Sequence, residues 1–87
     1  MSKKLQRTTF EIIKDILEYC RFNSKGPTRI GQGCNCNTTL LNPLLDALVS
    51  WGLLSCIQIK ARKQYVITNK GRDWLQNYYS LIKLMEV

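Results

Sequence analysis

A single pair of strand-like segments interrupts a chain of 87 residues that is otherwise patterned for helices. Residues 53–59 and 64–67 are rich in β-branched and apolar side chains, and residues 60–63 between them read Lys-Ala-Arg-Lys. Two such segments with a short polar connection are typical of a β-hairpin. The sequence therefore predicts one hairpin with a basic tip, with the rest of the chain in helices and turns.

The N-terminal part of the chain predicts two helices. Thr8 and Glu11 have the spacing of a capping box, in which the threonine caps the helix and the glutamate bonds back to the backbone. The apolar side chains that follow recur at helical spacing and form one face: Phe10, Ile13, Ile16, Leu17 and Cys20. A turn rich in polar residues ends this helix, and Thr28 is predicted to cap a short second helix over residues 29–33.

The third helix is predicted over residues 38–51, with Asn37 as its cap and Gly52 just beyond its end. Its apolar face is predicted to consist of Leu41, Leu44, Leu45 and Leu48. Pro43 conflicts with this helix, because proline removes a backbone hydrogen bond and disfavours helical geometry at the preceding residue. Two outcomes stay open: a long helix kinked at Pro43, which we favour, or a helix that starts at Pro43 with Asn42 as its cap.

The last helix begins near residues 68–69 and runs to the C-terminus. Its apolar side chains cover more than one stripe: Trp74, Leu75, Tyr78, Tyr79, Leu81, Ile82, Leu84 and Met85. So wide an apolar surface either completes the core of a small monomer or contacts a second chain. Because a domain this small buries only about 60% of its unfolded surface, we expect a homodimer with Tyr78, Ile82 and Met85 at the interface.

Composition excludes most enzyme classes. Histidine is absent, which excludes His-based acid–base catalysis, His–Cys nucleophile pairs and zinc sites with imidazole ligands. The sequence also contains neither a catalytic pair of acids nor a glycine loop that would hold a phosphate. We therefore expect no enzyme, no cofactor and no small-molecule substrate.

Charge and hydropathy point to a polyanionic partner rather than a membrane. Thirteen lysine and arginine residues stand against six aspartate and glutamate residues, which gives a net charge of +7. Nucleic acid is the leading partner for such a chain. No apolar run approaches the roughly 18 to 20 residues of a membrane span, and the basic N-terminus is not followed by the apolar segment of a signal peptide. We expect a soluble cytoplasmic protein.

Four cysteines are many for a cytosolic chain of this length. A zinc site with only thiolate ligands normally shows two short ligand pairs, whereas here one Cys-x-Cys pair stands far from Cys20 and Cys56, so no metal site is predicted. Buried thiols and disulfides stay open as alternatives. Cys20 and Cys36 look buried by pattern, whereas Cys34, near a loop, is expected to be the most reachable and is the candidate for a disulfide.

Two motifs resemble those of winged helix-turn-helix proteins. Leu44 and Leu48, followed by Trp-Gly-Leu-Leu at residues 51–54, are similar to the leucines that close the recognition helix of that family and lead into the first wing strand. Residues 65–71 with Leu75 resemble the Tyr-x-Ile-Thr-x-Lys-Gly-x-x-x-Leu signature of archaeal winged-helix regulators, including those of viruses that infect hyperthermophilic archaea. The resemblance implies a mainly α fold with a small β-hairpin (α+β), in the order α-α-α-β-β-α.

The resemblance also implies how the chain is divided and what it does. Residues 1–7 would form a basic N-terminal arm, residues 8–72 the winged-helix domain, and residues 73–87 a C-terminal helix that joins two protomers. The implied function is a sequence-specific regulator of transcription that binds double-stranded DNA, with the recognition helix in the major groove and the wing on the backbone or in the minor groove. A protein-interaction module and a non-specific architectural DNA binder stay open as alternatives.

The residue types at the expected contact positions suit DNA. Residues near the N-terminus of a recognition helix meet base edges, and here those are Thr38, Thr39 and Asn42. Seven cationic side chains are expected to contact the DNA backbone: Lys25, Arg29, Lys60, Arg62, Lys63, Lys70 and Arg72. Five of them lie between residues 56 and 72, where no acidic residue occurs, and this is the strongest electrostatic signal in the sequence.

Overall fold

Six elements follow one another in the order that the sequence predicts, so the α-α-α-β-β-α arrangement is confirmed. The computed structural model describes residues 8–85, and the predicted basic arm, residues 1–7, lies outside the described residues. The elements are α1 (Thr9–Tyr19), α2 (Pro27–Gly33), α3 (Thr38–Ser50), β1 (Leu54–Ile59), β2 (Arg62–Ile67) and α4 (Asn69–Met85).

The capping box of α1 is confirmed. The backbone N–H of Glu11 donates to the Thr8 hydroxyl at 3.1 Å, and the Glu11 carboxylate accepts from the backbone N–H of Thr8 at 2.8 Å. The predicted apolar face is buried except at Phe10, whose side chain is 64% exposed. Phe10 lies in the first turn and at the margin of that face, and its side chain is not part of the core.

Helix α2 starts earlier than the sequence suggests. Its N-cap is Gly26 and its first residue is Pro27, so the predicted cap at Thr28 is wrong. Proline suits the first helical position because its fixed φ is already helical and its missing N–H would have no partner there. Thr28 is therefore the second residue of the helix.

Helix α3 is one helix that continues through Pro43, so the alternative in which it starts at Pro43 is wrong. The Asn37 side chain accepts from the backbone N–H of Leu40 at 3.0 Å, which confirms the predicted cap. Pro43 lies on the exposed side, where the carbonyl that loses its helical donor faces water. The chain leaves α3 through Gly52, whose φ of 81° is the left-handed conformation that glycine favours.

The hairpin closes with a turn of two residues rather than the predicted four. β1 pairs antiparallel with β2, from Leu54 opposite Ile67 at the base to Ile59 opposite Arg62 at the tip. The turn residues Lys60 and Ala61 have φ of 52° and 63°, the conformation of a type I′ turn, which matches the twist of the flanking strands. We call this hairpin the wing.

A junction at the base of the wing joins α3, the hairpin and α4. The Thr68 hydroxyl hydrogen-bonds the backbone carbonyls of Gly52 and Leu53, and it accepts from the backbone N–H of Gly71 at 3.0 Å. Thr68 thus caps α4 while it holds the start of the wing. Gly71 packs so closely that a Cβ on it would lie 2.3 Å from the carbonyl oxygen of Leu53 and 2.7 Å from the Ile67 side chain.

The core forms where α1, α3, the base of the wing and α4 meet. Its fully buried side chains are mainly leucine and isoleucine: Ile16, Leu17, Cys20, Ile30, Leu41, Leu45, Leu48 and Leu54. Leu75 attaches α4 to this core. Among residues 8–85, no helix is long and apolar enough to cross a bilayer, and no cluster of His, Cys, Asp and Glu side chains is suited to a metal ion.

The exposure of the cysteine side chains differs from what the sequence predicts. Cys34 is only 3% exposed, so the prediction that it is the most reachable thiol is wrong; the end of α2 turns it into the core. Cys56, on β1, is the exposed one, and all four cysteines are thiols rather than disulfides. Burial, and next the neighbouring Cys34 thiol, raises the pKa of the Cys20 thiol to about 12, so Cys20 stays protonated at neutral pH.

Gly71→Ala should destabilise the protein by about 2–3 kcal/mol. The added methyl group would overlap the Leu53 carbonyl and force the junction apart, which outweighs the gain of about 1 kcal/mol in helix propensity. Gly26→Ala is the matched control, because the nearest atom to its added methyl lies 3.7 Å away. The free energies of unfolding come from denaturant titration, and equal values for the two variants would contradict the close packing at Gly71.

Candidate nucleic-acid interface

Three cations gather at the tip of the wing. Lys60 lies in the turn, and Arg62 and Lys63 are the first two residues of β2; all three side chains are exposed. Successive residues of a strand point to opposite faces, so Arg62 and Lys63 place charge on both sides of the tip. Among the residues that the structure describes, none forms an ion pair with these three. The wing tip, residues 60–63, is therefore an uncompensated positive surface.

The N-terminus of α2 lies against the wing near its tip. An added Cβ at Gly26 would lie 3.7 Å from the Lys63 carbonyl. Just before it, Lys25 exchanges two backbone hydrogen bonds with Tyr65, at 2.9 and 2.8 Å, and so adds a third, one-residue strand to the sheet. The Lys25 ammonium lies over the Tyr19 ring at 5.1 Å, whereas Arg29 is exposed on α2.

The N-termini of α2 and α3 lie side by side. Thr28 near the start of α2 and Thr38 at the start of α3 line the same pocket of about 240 Å³. Since Gly26 adjoins Lys63, these contacts connect the wing tip, the start of α2 and the start of α3 into one continuous surface. We call it the reading surface.

The three predicted base-contacting residues are exposed at the start of α3. Thr38 and Asn42 are four residues apart and lie on one side of the helix, with Thr39 next to them. Asn37 satisfies the N–H of Leu40, while the N–H groups of Thr38 and Thr39 lie in the first turn, where a helix has no internal partners for them. This end of α3 therefore offers backbone and side-chain hydrogen-bonding groups together.

Lys70 and Arg72 are not brought together with the wing tip. They follow the base of the hairpin, about 20 Å from the tip at about 3.3 Å per residue of strand. The Lys70 ammonium donates to the Trp51 carbonyl at 2.8 Å, at the C-terminal end of α3, and Arg72 donates to the Arg21 carbonyl at 3.4 Å. The five cations that are close in sequence thus form two groups in space.

Asp46 is a residue that sequence reasoning missed. It is exposed and lies seven residues after Thr39, which places it on the same side of α3. A carboxylate there repels phosphate, although it can accept a hydrogen bond from a cytosine amino group. Its negative charge favours contacts at the first two turns of α3 and disfavours them further along. The spacing of seven residues between Thr39 and Asp46 is visible in the sequence and could have revealed that the two lie on the same side of α3.

A separate apolar surface follows one side of α4. Four side chains at spacings of four, three and four residues form this α4 stripe: Trp74, Tyr78, Leu81 and Met85. The rings of Trp74 and Tyr78 stack at 5.4 Å, while Leu81 and Met85 are 60% and 73% exposed. Of the predicted interface residues, Tyr78 and Met85 lie on this stripe, and Ile82 lies between it and the side of α4 that faces α1.

Comparisons with known proteins agree with this architecture. Residues 6–86 match a family model described as winged helix-turn-helix. The crystal structure of Sso10a-2, a DNA-binding protein from Sulfolobus solfataricus, matches with a TM-score of 0.82 and 35% sequence identity, over 91% of this chain and 82% of that chain. No curated protein matches the sequence significantly.

Proposed function

Since this chain belongs to the winged helix-turn-helix family, we propose that it binds double-stranded DNA as a homodimer and regulates transcription in a sequence-specific way. The observation that carries this proposal is the reading surface, where the start of α2 lies against the wing near its uncompensated cations and shares a pocket with Thr38 at the exposed start of α3. Sso10a-2, which is 35% identical in sequence to this chain, is itself described as DNA-binding.

The start of α3 and the wing tip would have different roles in DNA binding. The start of α3 enters the major groove, where Asn42 pairs with adenine and Thr38 and Thr39 bond base edges or contact a thymine methyl group. Arg62 and Lys63 neutralise phosphates on the flanking backbone, with the tip on the backbone or in the minor groove. Arg29 and Lys25 extend the same positive surface along the start of α2.

A second candidate function is an architectural protein that binds DNA with little sequence preference. Leu40 is 49% exposed and Pro43 is exposed on the outward side of α3, so part of the surface that meets the groove offers no hydrogen bonds. The cations of the wing tip, for their part, suit backbone contacts, which carry no sequence information. The specificity test below decides between these two functions.

Arg62→Gln or Lys63→Gln should each weaken DNA binding about 5- to 10-fold at 0.1 M salt and lower the slope of log K against log salt by about 0.9. Each variant removes one phosphate contact and the counterion release that accompanies it. Binding is measured by fluorescence anisotropy with a random and a selected duplex over a range of salt concentrations.

Lys14→Gln is the matched control, because it removes one charge from α1, where Lys14 pairs with Asp15 at 2.7 Å. Equal weakening by the control would mean that only net charge matters. If the unmodified protein retarded no duplex at micromolar concentration, the protein-interaction module would replace DNA binding as the function.

Asn42→Ala should lower the preference for a selected duplex over random DNA by about 5- to 100-fold, which corresponds to about 1–3 kcal/mol, while affinity for random DNA changes little. The selected duplex comes from repeated enrichment of bound DNA from a random pool. Ser50→Ala, at the other end of α3, is the control and should keep the preference. An enrichment that yields no common sequence would favour the architectural function.

The homodimer part of the proposal rests on the α4 stripe. Leu81 and Met85 expose more than half of their surface, and such contiguous apolar surface in a soluble domain marks an interaction site. The spacing of four, three and four residues is that of a coiled-coil seam, which lets two α4 helices pack along their length. A two-fold dimer would present two reading surfaces to one duplex, and it implies a palindromic target.

Leu81→Glu should convert the dimer into a monomer at micromolar concentration. In a dimer the carboxylate would be buried without a partner at the centre of the seam. The stability of the monomer should change little, because Leu81 is already exposed. Gln76→Glu is the control, since Gln76 lies on another side of α4. Sedimentation equilibrium measures the mass. A Leu81→Glu protein with the unchanged mass of a dimer would place the interface elsewhere.

A further inference from the structure

A groove between the end of α1 and α4 contains a second group of cations. It has a volume of about 430 Å³ and is lined mainly by charged and polar side chains: Arg21, Arg72, Leu75, Gln76, Tyr79, Ser80 and Lys83. Three of these are cations, and among residues 8–85 no aspartate or glutamate lines the groove. It contains no residue of α3 or of the wing tip. We call it the α1–α4 groove.

The groove is built from one side of α4. Arg72, Gln76, Tyr79 and Lys83 follow one another at spacings of four, three and four residues, so they form a stripe along the helix. This stripe lies on the side of α4 opposite to the apolar α4 stripe, and a dimer formed through the apolar stripe leaves the groove open. Arg21 reaches the groove from the end of α1.

Internal contacts hold three of these side chains in place, and one of these contacts is the bond from Arg72 to the Arg21 carbonyl at 3.4 Å. The Arg21 guanidinium pairs with the Glu18 carboxylate at 3.3 Å, and the Tyr79 hydroxyl donates to the same carboxylate. Burial, and next the hydrogen bond to Glu18, raises the pKa of Tyr79, so its phenol stays protonated and neutral. Because Glu18 already compensates Arg21, the net positive charge of the groove comes from Arg72 and Lys83.

The separation of these two cations limits which anion they suit. Arg72 and Lys83 are eleven residues apart in one helix, about 16 Å at 1.5 Å per residue. One strand of B-DNA carries a phosphate for about every 3.4 Å of helix axis, so a span of this length faces more than one phosphate. Arg72 suits a phosphate because its guanidinium donates two parallel hydrogen bonds, and Ser80 and Gln76 add neutral donors between the cations.

We propose that the α1–α4 groove is a second anion site, which binds a run of consecutive phosphate groups. The run belongs either to a free oligophosphate or to a nucleic-acid strand outside the reading surface, and the chemistry of recognition is the same for both. Arg72 and Lys83 neutralise the two ends of the run, and Arg21 lies beside it. This site goes beyond the proposed function, because no residue that we assign to base reading or to the wing tip takes part.

Titration of the 87-residue protein with a linear inorganic polyphosphate, long enough to span the distance from Arg72 to Lys83 of about 16 Å at 1.5 Å per residue, tests the site by isothermal calorimetry. Arg72→Gln/Lys83→Gln should weaken binding at least 10-fold, whereas the control Lys60→Gln/Arg62→Gln, which removes the same charge from the wing tip, should change it less than 2-fold. Equal losses in the two double variants would show attraction to net charge only and would overturn the proposal. Absence of saturable binding to the unmodified protein would also overturn it.

A second measurement identifies the source of the phosphates. The backbone amide signals of Ser80 and Lys83 are followed by NMR while the same polyphosphate or a 12-bp duplex is added to the Lys60→Gln/Arg62→Gln/Lys63→Gln protein. Shifts with both probes assign the site to nucleic acid, and shifts with the polyphosphate alone assign it to a free oligophosphate. Shifts with neither overturn the site. Because the wing tip is neutralised in this protein, the result does not depend on whether the reading surface binds DNA.

Discussion

The junction between Thr68 and residues 52–53, which connect α3 to β1, is the constraint on which the rest of the structure depends. One hydroxyl hydrogen-bonds the carbonyls of Gly52 and Leu53 and caps α4, so the end of α3, the first wing strand and the last helix meet at one point. The absence of a side chain at Gly71 lets α4 approach the Leu53 carbonyl. The direction of the wing relative to α3, and of α4 relative to both, is set there.

Local signals in the sequence predict most of the fold. The capping box at Thr8, the cap at Asn37 and the glycine after α3 are confirmed because each is satisfied within a few residues. The family resemblance, which rests on the motif around Thr68, is confirmed as well. The errors arise where contacts between segments that are far apart in the sequence decide whether a side chain is buried. The spacing of apolar residues along a helix reveals neither the burial of Cys34 nor the exposure of Phe10.

The candidate site was predicted less completely, because proximity in sequence is a poor guide across a hairpin. Lys63 and Lys70 are seven residues apart, yet strand β2 separates them by most of its length. Conversely, Arg21 and Arg72 are far apart in sequence and line one groove, which only the antiparallel packing of α1 on α4 reveals. Helical spacing within α3 would have been sufficient to find Asp46, which sequence reasoning missed, whereas no spacing rule could have found the α1–α4 groove.

The paired backbone of Lys25 and Tyr65 has a mechanical consequence. Its two hydrogen bonds, together with the bond from the Ser24 hydroxyl to the Gln64 side chain at 2.7 Å, tether β2 to the segment before α2. We therefore expect the wing to adjust to the curvature of a ligand by bending beyond Gln64, toward its tip, while the angle at which it leaves the body stays fixed. Differences in the shape of bound molecules are therefore accommodated at the outermost residues alone.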